Sequence, residues 1–119
     1  MKKLLPVAIL IALTGCAIVA IQPKVTYTPE VRRQSATSEP SFQSLLTAMG
    51  GVGYADRAAF LHPKERTLVR IEVVLRYDDQ KTGIERWTIR HDTNDSTVYQ
   101  VLLVPDGQGT TDFTVSKAP

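Results

Sequence analysis

The sequence predicts an α+β domain: one or two short helices packed on a four-stranded antiparallel β-meander, carried behind a flexible N-terminal tether. Three observations predict it. Phe42, Leu45, Leu46 and Met49 recur at the three-and-four spacing of a single helical face. From Thr67 onward the apolar period changes to two, in four segments separated by turn residues. Residues 22 to 40 hold Pro23, Pro29 and Pro40 among isolated apolar and hydroxyl side chains, a composition that favours extended, solvated backbone.

The chain begins with two basic residues, Lys2 and Lys3, and an apolar run from Leu4 to Ala12 broken only by Pro6. Leu13, Thr14 and Gly15 then precede Cys16, the single cysteine. These sixteen residues resemble the lipobox signal of bacterial lipoproteins. The resemblance implies that residues 1 to 15 are a signal peptide, that a diacylglycerol is attached to the Cys16 thiol, and that cleavage leaves Cys16 as an acylated terminus carrying chains such as palmitate. Two acyl chains anchor a protein stably, each buried methylene contributing about 0.8 kcal/mol. Ala17 stands where an aspartate would retain an enterobacterial lipoprotein at the inner membrane, so the resemblance implies the outer membrane, facing the periplasm. The apolar stretch continues through Ile21. Residues 4 to 21 therefore also read as an uncleaved signal anchor, 18 residues being long enough to span a bilayer.

Lys2 and Lys3 account for the whole formal charge of +2, so the chain from Cys16 onward is formally neutral. That balance gives no argument for nucleic acid as a partner. A single cysteine allows no internal disulfide, and a small domain must then be held by its core alone. Residues 16 to 40 read as lipidated terminus and extended linker, and residues 41 to 119 as the folded domain.

Ser41 can cap the first helix, which Gly50, Gly51 and Gly53 stop. A phosphate loop would need a preceding strand and a following lysine, and neither flanks these glycines. A second helix is expected from Tyr54 to Leu61, with Ala58, Ala59 and Leu61 inward. In the first strand Val69, Ile71, Val73, Leu75 and Tyr77 alternate against Arg70, Glu72 and Arg76, which sets one dry face and one wet face. In the second, Trp87 and Ile89 oppose Arg86, Thr88 and Arg90. The third, Thr97 to Val104, is apolar on both faces and is expected to be central or otherwise covered. The last, Thr110 to Val115, points Phe113 and Val115 inward.

Catalytic patterns are absent from the sequence. No serine sits in a glycine-flanked elbow, and His62 and His91, in different elements, read as separate surface histidines. Two distant histidines do not make a zinc site. Asp92, Asn94 and Ser96 are spaced like the start of a calcium loop, but Thr97 and Leu103 occupy the positions that would need glycine and glutamate. The expectation is therefore a protein that is not an enzyme, with no metal and no cofactor. The remaining candidate site is an arginine face: Arg70, Arg76, Arg86 and Arg90 project from the first two strands with Glu72 between them, suited to gripping a carboxylate-rich partner. The expected function is protein-protein contact at a bacterial envelope membrane, as an accessory subunit of an envelope or secretion assembly. Two alternatives stand beside it. One is a periplasmic inhibitor of a hydrolase such as lysozyme, presenting the turn from Pro105 to Thr110. The other is a glycan or small-ligand module using Trp87 and Tyr99 beside the arginines.

Overall fold

The computed structural model describes residues 23–61, 63, 65–79, 82–108 and 111–119. The leader with Cys16, together with His62 and the turn residues Gly109 and Thr110, lies outside them. Among the described residues the architecture is α+β: three short helices lie on one face of a five-stranded mixed sheet of order β1-β2-β3-β4-β5. The antiparallel meander is present as β2 (Arg66–Arg76), β3 (Gly83–His91), β4 (Ser96–Pro105) and β5 (Thr111–Lys117). The fifth strand, which the periodicity does not reveal, is β1 (Val25–Thr26), paired in parallel with Arg66 and Thr67 of β2.

Residues 23 to 40 thus depart from the expected tether. After β1 they form α1 (Pro29–Gln34), whose start and stop obey helix-end chemistry. The Thr28 hydroxyl accepts from the Val31 N–H, Pro29 opens the first turn, and Arg32 and Arg33 close the last. Val31 is buried, and the Gln34 side chain accepts from the Ile71 N–H on the edge of β2. α2 (Glu39–Thr47) begins at Ser38 rather than Ser41 and buries Phe42, Leu45 and Leu46 as its spacing requires. Met49 falls beyond the helix and is 84 % exposed.

Gly50 reverses the chain at φ +84°, a conformation that side chains resist. At Gly51 and Gly53 a Cβ would overlap the carbonyl oxygens of Leu45 and Leu46, so both glycines serve a close helix crossing. The next helix, α3 (Val52–Ala59), buries Val52, Gly53 and Asp56 and leaves Ala58, Ala59 and Leu61 at the surface, the reverse of the expected inward set.

The core lies between helices and sheet. Trp87 is 0 % exposed, with Ile71 and Tyr99 opposite it on the neighbouring strands and the Phe42 ring 5.2 Å away. β3 follows its expected faces, with Trp87 and Ile89 inward, whereas β4, expected to be covered on both faces, turns Tyr99, Val101 and Leu103 inward and leaves Leu102 and Val104 exposed. β2 does not. Its register against β3 slips between Leu68 and Arg70 and again between Val73 and Leu75. Each slip is a bulge that takes one extra residue and reverses the faces beyond it. Leu68, Ile71 and Val73 therefore oppose Ile89, Trp87 and Glu85 on the helix side, whereas Leu75 opposes Ile84 on the far side.

Candidate functional site

The far side of the sheet carries no helix among the described residues, and it holds most of the predicted arginines. Thr67 and Arg90, Arg70 and Thr88, Glu72 and Arg86, and Leu75 and Ile84 are direct cross-strand neighbours there. The Arg70 Nη2 to Glu72 Oε2 distance is 2.7 Å. Arg70, Glu72, Arg86, Thr88 and Val98 line a shallow depression of about 190 Å³. Among the described residues, Arg86 and Arg90 have no acidic partner. Arg76 is the exception. The second bulge turns it to the helix side, opposite Gly83, where it lines a different depression with Ala36, Val73 and Leu103. The face thus assembles Arg70, Arg86 and Arg90, not four arginines. Beside them it presents an apolar band, with Leu75, Leu102 and Val104 all exposed.

Beneath the opposite face lies a cluster that sequence reasoning missed. Asp56 of α3 is fully buried, and three strand residues converge on it. Its Oδ2 accepts from Arg66 Nε at 2.7 Å and from His91 Nε2 at 2.7 Å, and its Oδ1 accepts from Tyr99 OH at 2.6 Å. Arg66 also donates to the carbonyls of Phe60 and Pro63. The other His91 nitrogen, Nδ1, lies 3.1 Å from Asp95 Oδ1. The His91 ring thus bridges the two carboxylates, one on each nitrogen. His91, expected at the surface, is 2 % exposed and capped by the Phe60 ring at 4.7 Å.

The arrangement fastens α3 to β2, β3 and β4. It is not shaped for catalysis, because a general base must reach a substrate proton, and the side chains of Asp56 and His91 are 0 % exposed. A Thr93 hydrogen bond first, and His91 after it, hold the Asp95 carboxyl below its ordinary range. Burial, and then the hydrogen bond and charge of Asp56, push the Tyr99 phenol upward.

That upward shift has a pH consequence. A phenol whose folded-state value lies above the unfolded value of about 10 stabilises the fold fully at lower pH, and that contribution is lost as pH rises beyond it. Thermal melts at pH 8 and pH 11 should show the wild type losing stability in alkali. Tyr99→Phe should start lower by about 1 to 3 kcal/mol, since Asp56 Oδ1 loses its donor, and then decline less steeply. Parallel slopes in the two proteins would refute the assignment.

A second buried carboxylate, Glu85 on β3, accepts from Ser35 Oγ at 2.8 Å, Ala36 N at 2.8 Å and Trp87 Nε1 at 2.9 Å. It ties the α1–α2 connection to the centre of the sheet. Trp87 and Tyr99 are both core residues, so neither stands on the surface beside the arginines. Among the described residues no three His, Cys, Asp or Glu side chains are grouped to hold a metal ion, and no helix is long and apolar enough to cross a membrane. Compared with protein-family models, with curated proteins and with solved structures, the chain matches none. The functional reading therefore rests on its own residues.

Proposed function

We propose that the chain is a lipid-anchored protein of the bacterial envelope, acylated at Cys16, that works without catalysis by docking an acidic partner protein on the uncovered face of its sheet. Within this reading it serves as an accessory subunit of an envelope or secretion assembly, most simply one at the outer membrane facing the periplasm. The observation that carries the docking face is the exposed set of Arg70, Arg86 and Arg90 next to the apolar band of Leu75, Leu102 and Val104. Mixed basic and apolar surface suits a protein partner. Arginine forks grip carboxylates, and the apolar band adds buried area.

The test is recovery of the full chain from native membranes with whatever protein accompanies it. Mass spectrometry of the recovered chain should find an acylated species starting at Cys16, and the co-purifying proteins should include a stoichiometric partner. Arg70→Gln with Arg86→Gln should weaken that partner's binding by about tenfold or more, as expected when charge pairs across an interface are broken. The melting curve should stay unchanged, because the Arg70–Glu72 pair is exposed and such pairs contribute only about 0 to 1 kcal/mol. Unmodified, full-length Cys16 would remove the anchor. Undiminished binding by the double variant would remove the face.

A further inference from the structure

The two edges of the sheet are treated differently. The β2 edge is guarded three times: β1 covers Arg66 and Thr67, the Gln34 side chain takes the Ile71 N–H, and two bulges bend the remainder. The β5 edge has none of these. Its register against β4 runs unbroken from Tyr99–Lys117 to Pro105–Thr111, and it is the last strand of the sheet. Among the described residues nothing pairs with its far side. A regular, unguarded edge is a template for another strand.

The ladder shows which backbone groups are free. The Ala118 N–H donates to the Val98 carbonyl at 2.9 Å, which aims the even-numbered residues of β5 at β4. The N–H and C=O groups of Thr111, Phe113, Val115 and Lys117 therefore point outward. The same residues have side chains on the helix side, where Phe113 and Val115 are only partly buried. Beside Val115 an open groove of about 330 Å³ is lined by Met49, Tyr54, Ala55 and Ala58.

We infer that the chain forms a two-fold dimer through β5, joining two sheets antiparallel across an axis at Thr114. In this register every outward backbone group meets an outward group. Phe113 lies opposite Val115 of the second copy, Thr111 opposite Lys117, Asp112 opposite Ser116, and Thr114 opposite itself. Both partly buried apolar residues gain an apolar neighbour, and Asp112 gains a hydroxyl donor, so the strand is complementary to itself as an isologous contact requires. Seven residues make an edge about 24 Å long at roughly 3.4 Å per residue. With the helix layer behind it, including the groove at Met49 and Tyr54, two such walls bury on the order of 1,000 Å², the lower bound for a specific interface. The uncovered faces of the two copies would then adjoin, doubling the arginine surface. The dimer does not depend on the docking proposal, because the edge and the face use different groups.

Single cysteines in the purified full chain, kept in mild detergent and oxidised, test the register. Thr114→Cys should give a disulfide-linked dimer, since residues opposite each other in a pair without hydrogen bonds bring their side chains closest. Asp112→Cys alone should not exceed the wild type, but a mixture of Asp112→Cys and Ser116→Cys should cross-link. Thr114→Lys places like charges face to face at an exposed position. It should raise the dimer dissociation constant by about tenfold or more in light scattering while leaving the melting curve in place. A monomeric wild type overturns the dimer. So does Thr114→Cys that stays at background because another strand occupies the edge, or Asp112→Cys that cross-links equally well.

Discussion

Replacing Asp56 with alanine should largely unfold the domain. The carboxylate is the common acceptor for Arg66, His91 and Tyr99, and it is 0 % exposed. Its removal strands the Arg66 guanidinium in the core and takes the partner from His91 Nε2. Breaking one side of a buried ion pair costs about 3 to 5 kcal/mol, chiefly because the other charge stays buried. The Tyr99 hydroxyl adds roughly 1 kcal/mol more. Small domains hold only about 5 to 15 kcal/mol in total, so the loss takes a large share of the whole. At about 4 to 8 °C per kcal/mol for a domain of this size, the melting temperature should fall by roughly 15 to 50 °C. Asp56→Asn keeps the volume but turns one acceptor into a donor facing donors, and it should be only partly better. Scanning calorimetry of the three proteins decides the matter. A shift of a few degrees in Asp56→Ala would mean that the cluster contributes little and that helix packing alone fixes α3.

The same cluster shows why part of the molecule was legible in the sequence and part was not. β3 can be read because its register against β4 is unbroken, so the alternation of Trp87 and Ile89 maps directly onto one face, whereas β4, apolar on both sides, does not show in sequence which side faces the core. β2 alternates just as well on paper, yet Arg76 and Leu75 emerge on sides opposite to those expected. The apolar doublets Leu68–Val69 and Val73–Val74 sit at the two slips. A strict period of two has no place for adjacent apolar residues, and that was the available sign of an inserted residue. Arg70, Arg86 and Arg90 accordingly share the far side of the sheet, whereas the second bulge takes Arg76 to the other.

The N-terminal segment misled through composition. Its prolines suggested extended chain, but Thr28-Pro29-Glu30 and Ser38-Glu39-Pro40 are also helix starts, since proline is tolerated in the first turn. Two residues of β1 carry no periodicity at all. Asp56 was hidden for a different reason. Its partners lie 10, 35 and 43 residues away, and an aspartate in a helix reads as solvent-facing until the fold brings a cation to it. His91 is hidden with it, because it is buried against Asp56.

Glu85→Ala should have the next largest effect, by a different route. Glu85 is 1 % exposed, and it accepts hydrogen bonds from Ser35, Ala36 and Trp87. Trp87 Nε1 has no other partner among the described residues and is walled in by the core. An unsatisfied buried donor costs about 1 to 3 kcal/mol, and the cavity left by the side chain adds to it. Ser35 and Ala36 are nearer the surface, so water can replace part of what they lose. The total should be about 2 to 4 kcal/mol, below that for Asp56→Ala because no charge is left uncompensated. An apolar replacement of similar size, Glu85→Leu, should not restore stability. Filling the volume leaves the indole N–H without an acceptor, whereas Glu85→Gln retains one and should fall between wild type and alanine. The loss should also have a local signature. The Ala36 amide should exchange its hydrogen faster in Glu85→Ala, while amides of β4, protected by the sheet ladder, should change only as much as global stability does. Equal stability of the leucine and glutamine variants would show that Glu85 fills space rather than accepting hydrogen bonds. Unchanged exchange at Ala36 would show that the segment from 23 to 40 is held to the sheet by Val31 and Gln34 instead.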